Sequence, residues 1–184
     1  MKESGTSHVL NIENAREIVE SYAISCGVSC RLVSADGRIL YQQDLGCDLC
    51  QQCRSVFIGE EHCDKIHLYG ASQSERFGGR YIYFCPAGMG WISAPILLGG
   101  QIAGSLSCGP IMIMGLEDYI ASTPILQQSM PLEKLEAITG ILHHFPQRDP
   151  PEMSRLSLQL LADALYIGCL LYTSDAADDM QCVD

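Results

Sequence analysis

Two β-prone runs that meet at a pair of glycines constrain this chain more than any other feature. Trp91-Ile-Ser-Ala-Pro-Ile-Leu-Leu98 and Gln101-Ile-Ala-Gly-Ser-Leu-Ser-Cys108 are separated only by Gly99-Gly100. Glycine adopts positive φ without a side-chain clash, so the pair favours a tight hairpin. Asp36-Gly37 repeats the signal between Arg31-Leu-Val-Ser34 and Arg38-Ile-Leu-Tyr41. A fifth run, Tyr81-Ile-Tyr-Phe84, ends at Cys85-Pro-Ala-Gly88. Pro95 removes one backbone donor, so its strand is expected to be bulged or near an edge there.

Helical spacing surrounds these runs. Ile12, Ala15, Val19 and Tyr22 recur at three and four residues and predict a helix over about 9–24. Polar, helix-compatible residues follow Cys63 to about Gln73, before the Gly78-Gly79 break. Pro131 opens a helix holding Leu132, Leu135, Ile138 and Leu142. Asp149-Pro150-Pro151 opens another, with Leu156, Leu160, Ala164 and Ile167 on one stripe. Five strands in antiparallel hairpins with flanking helices predict an α+β domain.

The 184 residues suffice for one domain with a sizeable core. A net charge of −11 argues against binding nucleic acid through phosphate contacts, which needs clustered Lys and Arg. No apolar run reaches the roughly 20 residues that span a bilayer. Residues 1–7 are polar, so no signal peptide is read and a cytoplasmic location is expected. In that setting ten cysteines are expected to stay reduced, and a tight cluster of them points to a metal or to redox chemistry.

The cluster has the spacing Cys47-x2-Cys50-x12-Cys63-x21-Cys85. A Cys-x2-Cys pair can aim two thiolates at one ion, and two more complete a tetrahedral site. Cys53 can replace Cys50, and His67, one helical turn beyond Cys63, is a rival ligand. The plain alternative is that several are small buried hydrophobes. Packing is expected of Cys26, Cys30 and Cys108. Four cysteines do not distinguish zinc from an iron–sulfur cluster.

No enzyme is expected. Cys85 has no His or acidic partner placed near it in sequence, and Gly99 to Gly104 is too short to cradle a phosphate ahead of a helix.

Cys47-x2-Cys50, Cys63, Tyr81-Ile-Tyr-Phe-Cys85-Pro-Ala-Gly88, Ala94-Pro95-Ile96, Gly100-Gln-Ile-Ala-Gly104 and Cys108-Gly-Pro-Ile-Met112 together resemble the PocR sensory domain. The resemblance runs over about 9–168 and is strongest over 47–110. It implies a PAS-like antiparallel five-stranded sheet in the sensor half of a bacterial transcriptional regulator. The implied effector is a small hydrocarbon derivative such as a diol, sensed directly or through a cysteine-bound metal. The family cysteines fall on Cys47, Cys50, Cys63 and Cys85, with zinc expected or, as the alternative, an iron–sulfur cluster in a redox sensor. Cys53 stands as an addition, and Pro86 occupies a position where many members carry His.

A mostly apolar ligand pocket is expected on the sheet near the Cys85–Gly88 turn, with Tyr83, Trp91 and Ser93 as candidate contacts. The helix over 152–168 is a candidate relay to an output domain, through which DNA would be bound. Its stripe at 156–167 is a candidate homodimer face, or else a plain core face. Finally, Cys169-Leu-Leu-Tyr-Thr-Ser-Asp-Ala-Ala-Asp-Asp179 resembles one translated frame of a transposase-based sequencing adapter. On that reading residues 169–184 are a non-native tail, native sequence stops near Gly168, and the output domain is missing.

Overall fold

A computed structural model of the chain describes residues 12–45, 60–123 and 131–180. Helix α1 (Ile12–Cys26) leads into strands β1 (Cys30–Ser34) and β2 (Ile39–Gln43). Helix α2 (Glu60–Arg76) precedes β3 (Tyr81–Phe84), β4 (Gly90–Leu98) and β5 (Gln101–Ile111). Among the described residues, α3 (Leu116–Ser122), α4 (Leu132–Leu142) and α5 (Pro150–Met180) follow.

The five strands form one antiparallel sheet in the order β2-β1-β5-β4-β3. This is the α+β, PAS-like sheet that the sequence predicts. The β4–β5 hairpin turns at Gly99-Gly100, both at positive φ (57° and 82°). β1 pairs with β5, far along the chain, with Cys30 opposite Cys108 and Leu32 opposite Leu106. β3 pairs with β4 only from Gly90 to Ser93. Pro95 therefore lies beyond the reach of β3, next to a register shift between Ile96 and Leu97, as a missing backbone donor requires.

The two faces of the sheet differ. Strand alternation puts Cys30, Leu32, Ile92, Ala94, Ile96, Leu106 and Cys108 on one face. There they pack against Ala15, Val19, Tyr22 and Ala23 of α1 and Met153, Leu160, Ala164 and Ile167 of α5. The stripe offered above as a homodimer face thus lies against the sheet: Leu160 and Ala164 are fully buried. What α5 leaves exposed is Leu158, Leu165 and Tyr166. A reciprocal capping box starts α5: the Glu152 amide donates to Asp149 Oδ1 (2.7 Å) and the Asp149 amide to Glu152 Oε2 (2.9 Å).

Helix α2 covers the opposite face, over β3, β4 and β5. A smaller apolar cluster holds the far end of the molecule. Ala87 and Met89 of the β3–β4 turn meet Met112, Tyr119 of α3, and Ile138 and Leu142 of α4. No helix among the described residues is long and apolar enough to cross a membrane.

Candidate functional site

The same alternation that points Leu106 and Cys108 at α5 points Ser105 and Ser107 the other way, beneath α2. Arg31 pairs with Ser107 and Val33 with Ser105, so one cation and two hydroxyls share that face. Helix α2 is carried close to the sheet by Gly70. A Cβ there would stand 2.3 Å from the Tyr83 ring, so only glycine lets the two approach this closely.

Toward β1 and β2 the helix and sheet diverge and leave a cavity of about 250 Å³. Its floor is Arg31, Val33, Ser105 and Ser107, its roof His67, Leu68 and Ala71 of α2, and Ala35, Ile39 and Ile102 close the rim. The lining is mostly apolar with a few converging polar groups, the usual make-up of a small-molecule site.

Behind the cavity stands a buried aromatic wall. The Arg31 guanidinium carbon lies 4.7 Å from the centre of the Trp91 ring, and both residues are buried, 6% and 1% exposed. The His67 ring meets Trp91 edge-on at 4.4 Å, and its Nδ1 is 2.8 Å from the Tyr83 hydroxyl. Burial pushes the Tyr83 phenol up, while a hydrogen bond with Ser107 and the charge of Arg31 pull it down. Ser107 Oγ donates to Ser93 Oγ at 3.4 Å.

Tyr83, Trp91 and Ser93, the contacts expected from the sequence, do not line the cavity. Each touches a residue that does: Trp91 touches Arg31 and His67, Tyr83 touches His67, and Ser93 touches Ser107. The Cys85–Gly88 turn lies away from the cavity. Its backbone is held by the Cys85 amide donating to Met89 O (2.9 Å) and by the Tyr119 hydroxyl donating to Ala87 O.

Nothing in the sequence singles out Arg31 as a residue lining this cavity. The one signal it carries is a cation opening an otherwise apolar strand. Which residues face it depends on the pairing of β1 with β5, which nothing local in the sequence announces.

Of the four expected metal ligands, Cys47 and Cys50 lie outside the described residues, as does the rival Cys53. Cys63 falls within α2 and Cys85 directly follows β3. Among the described residues no three His, Cys, Asp or Glu side chains converge as a metal site.

The family model for the sensory domain found in PocR matches residues 8–166. The chain belongs to the PocR sensory-domain family. No curated protein sequence matches the chain. Among solved structures, the C-terminal domain of a Vibrio cholerae transcriptional regulator is similar at 14% identity and a TM-score of 0.44, covering 88% of this chain and 97% of that one. A domain of an IclR-family regulator is similar at 11% identity and a TM-score of 0.43, covering 86% and 95%. The cofactor-binding GAF domain of the nutrient sensor CodY from Clostridium difficile follows at 13% identity and a TM-score of 0.26, covering 64% and 82%.

Proposed function

We propose that this PocR sensory domain serves a bacterial transcriptional regulator, and that its effector is a small hydrocarbon derivative, with diols as its neutral members. The observation that carries this reading is the cavity between α2 and the sheet, mostly apolar with Arg31, Ser105 and Ser107 on its floor. A water's share of the liquid is about 30 Å³, so 250 Å³ suits a molecule of roughly eight heavy atoms or fewer. Binding there presses on one face of β5, whose other face packs on α5. That gives an effector a way to bias two arrangements of helix and sheet.

The test is calorimetry of the chain against short diols, alcohols and aldehydes, repeated on Ala71→Met, which fills the roof. Binding that weakens at least about tenfold in Ala71→Met supports the reading. Equal binding by both proteins moves the site elsewhere, and no heat from any probe removes it.

The four-cysteine set belongs to the same proposal, holding zinc or, alternatively, an iron–sulfur cluster. Its support is the antiparallel run of α2 and β3: Tyr69 faces Tyr81, and His67 faces Tyr83. Continuing that register one turn back leads from His67 to position 63 and from Tyr83 to position 85. A zinc held there would be structural or would present the effector; a cluster would add redox response. Metal content and visible absorbance of anaerobically purified protein test it. About one zinc and no colour supports the first, iron with broad absorbance the second, and absence of both metals returns these cysteines to packing.

A further inference from the structure

Among the described residues, nothing answers the charge of Arg31. It is 6% exposed, lines the cavity, and packs face-on against Trp91. Among the described residues no carboxylate lies within ion-pair distance of it, and its Nε has no hydrogen-bond partner. The Nε1 of Trp91, in the ring beside it, is likewise buried with no hydrogen-bond partner among the described residues. Both groups are donors only. Burying a charge without a partner is costly. Cation–π contact with Trp91 meets part of that cost, yet it offers no acceptor to the guanidinium edge.

We infer that the effector is an acid: a short aliphatic carboxylate, its carboxylate on the Arg31 guanidinium and its chain along the apolar wall. This rests on the cavity being the effector site. A carboxylate is an acceptor-only group whose two oxygens match the fork of an arginine, and Ser105 stands beside it on the floor to donate to a remaining lone pair. Val33, Ile102, Leu68 and Ala71 receive the hydrocarbon. A phosphate ester fits less well. Arg31 is the lone Lys or Arg among the described residues lining the cavity, too little for a dianion in a mostly apolar chamber.

The experiment is a calorimetric comparison of butanoate, 1-butanol, 1,2-butanediol and butyl phosphate on the full chain and on Arg31→Met, which keeps length and packing while removing the charge. Butanoate is expected to bind about 10- to 100-fold more tightly than the two neutral probes, a preference that Arg31→Met abolishes. The butanoate-to-butanol ratio on the unaltered chain stands even if Arg31→Met fails to fold. Diol binding equal to or tighter than butanoate overturns the carboxylate and leaves the cavity as effector site. A preference for butyl phosphate overturns it in favour of a phosphate ester. Silence from all four overturns the carboxylate, and the wider diol, alcohol and aldehyde series then decides the cavity separately.

Discussion

Cys30 and Cys108 face each other across β1 and β5 in the core between the sheet and α1, and both are fully buried. Burial pushes both thiols up, Cys108 to about 12, while the Tyr22 hydroxyl 3.3 Å from its sulfur draws it partly back. A raised thiol pKa means that the unfolded chain loses its proton first. The stabilisation is therefore complete below pH 9, where the unfolded thiol is still protonated, and is lost as pH rises toward 12. Unfolding free energy is predicted to fall by up to about 1.4 kcal/mol per pH unit for each thiol in that window. Urea titrations between pH 8 and 11 check it: Cys108→Ala should show a shallower decline than the parent, and an identical slope would mean that the thiol is not held neutral by the fold. These two cysteines were legible as packing residues because they sit inside apolar strands. Arg31 was not, since its burial comes from a partner strand far along the chain.

Among the elements, the contact of α2 with β3 sets the spacing of the cavity. Helix propensity alone says that Gly70→Ala should stabilise α2 by about 1 kcal/mol. The Tyr83 ring 2.3 Å from the new Cβ reverses that sign. Overpacking of this kind costs about 1–3 kcal/mol, and lifting α2 should also weaken effector binding. Urea unfolding beside the exposed control Glu75→Ala measures the first, and a stabilised Gly70→Ala would show that α2 sits farther from the sheet. The strands were readable from β-prone runs and glycine turns, and α1, α4 and α5 from their apolar spacing with Pro131 or Asp149-Pro150 marking the last two starts. Helix α3 was not: seven residues are too few for a helical period to emerge. The place of the expected ligand contacts, one residue behind the lining of this cavity, was not legible for a similar reason. Tyr83, Trp91 and Ser93 lie on β3 and β4, but the opening lies over β1 and β5, and that displacement is a property of strand order.

At the scale of the whole molecule, the sheet separates two chambers of opposite character. A dry core with α1 and α5 lies on one side, and a cavity with a buried cation lies on the other. Strand β5 belongs to both, presenting Ser105 and Ser107 to the cavity and Leu106 and Cys108 to the core. A sensory domain needs such a connection, because an effector can shift only those arrangements with which it interacts differently. The central claim is that the effector sits under α2, and the most direct measurement is methyl and amide NMR of the chain titrated with the tightest probe of the calorimetric series. The largest shifts are expected at Val33, Leu68, Ala71, Ile102 and the Arg31 side chain, with smaller ones crossing to Leu106 and Leu160. Shifts centred on the Cys85–Gly88 turn, with the cavity wall unmoved, would contradict it.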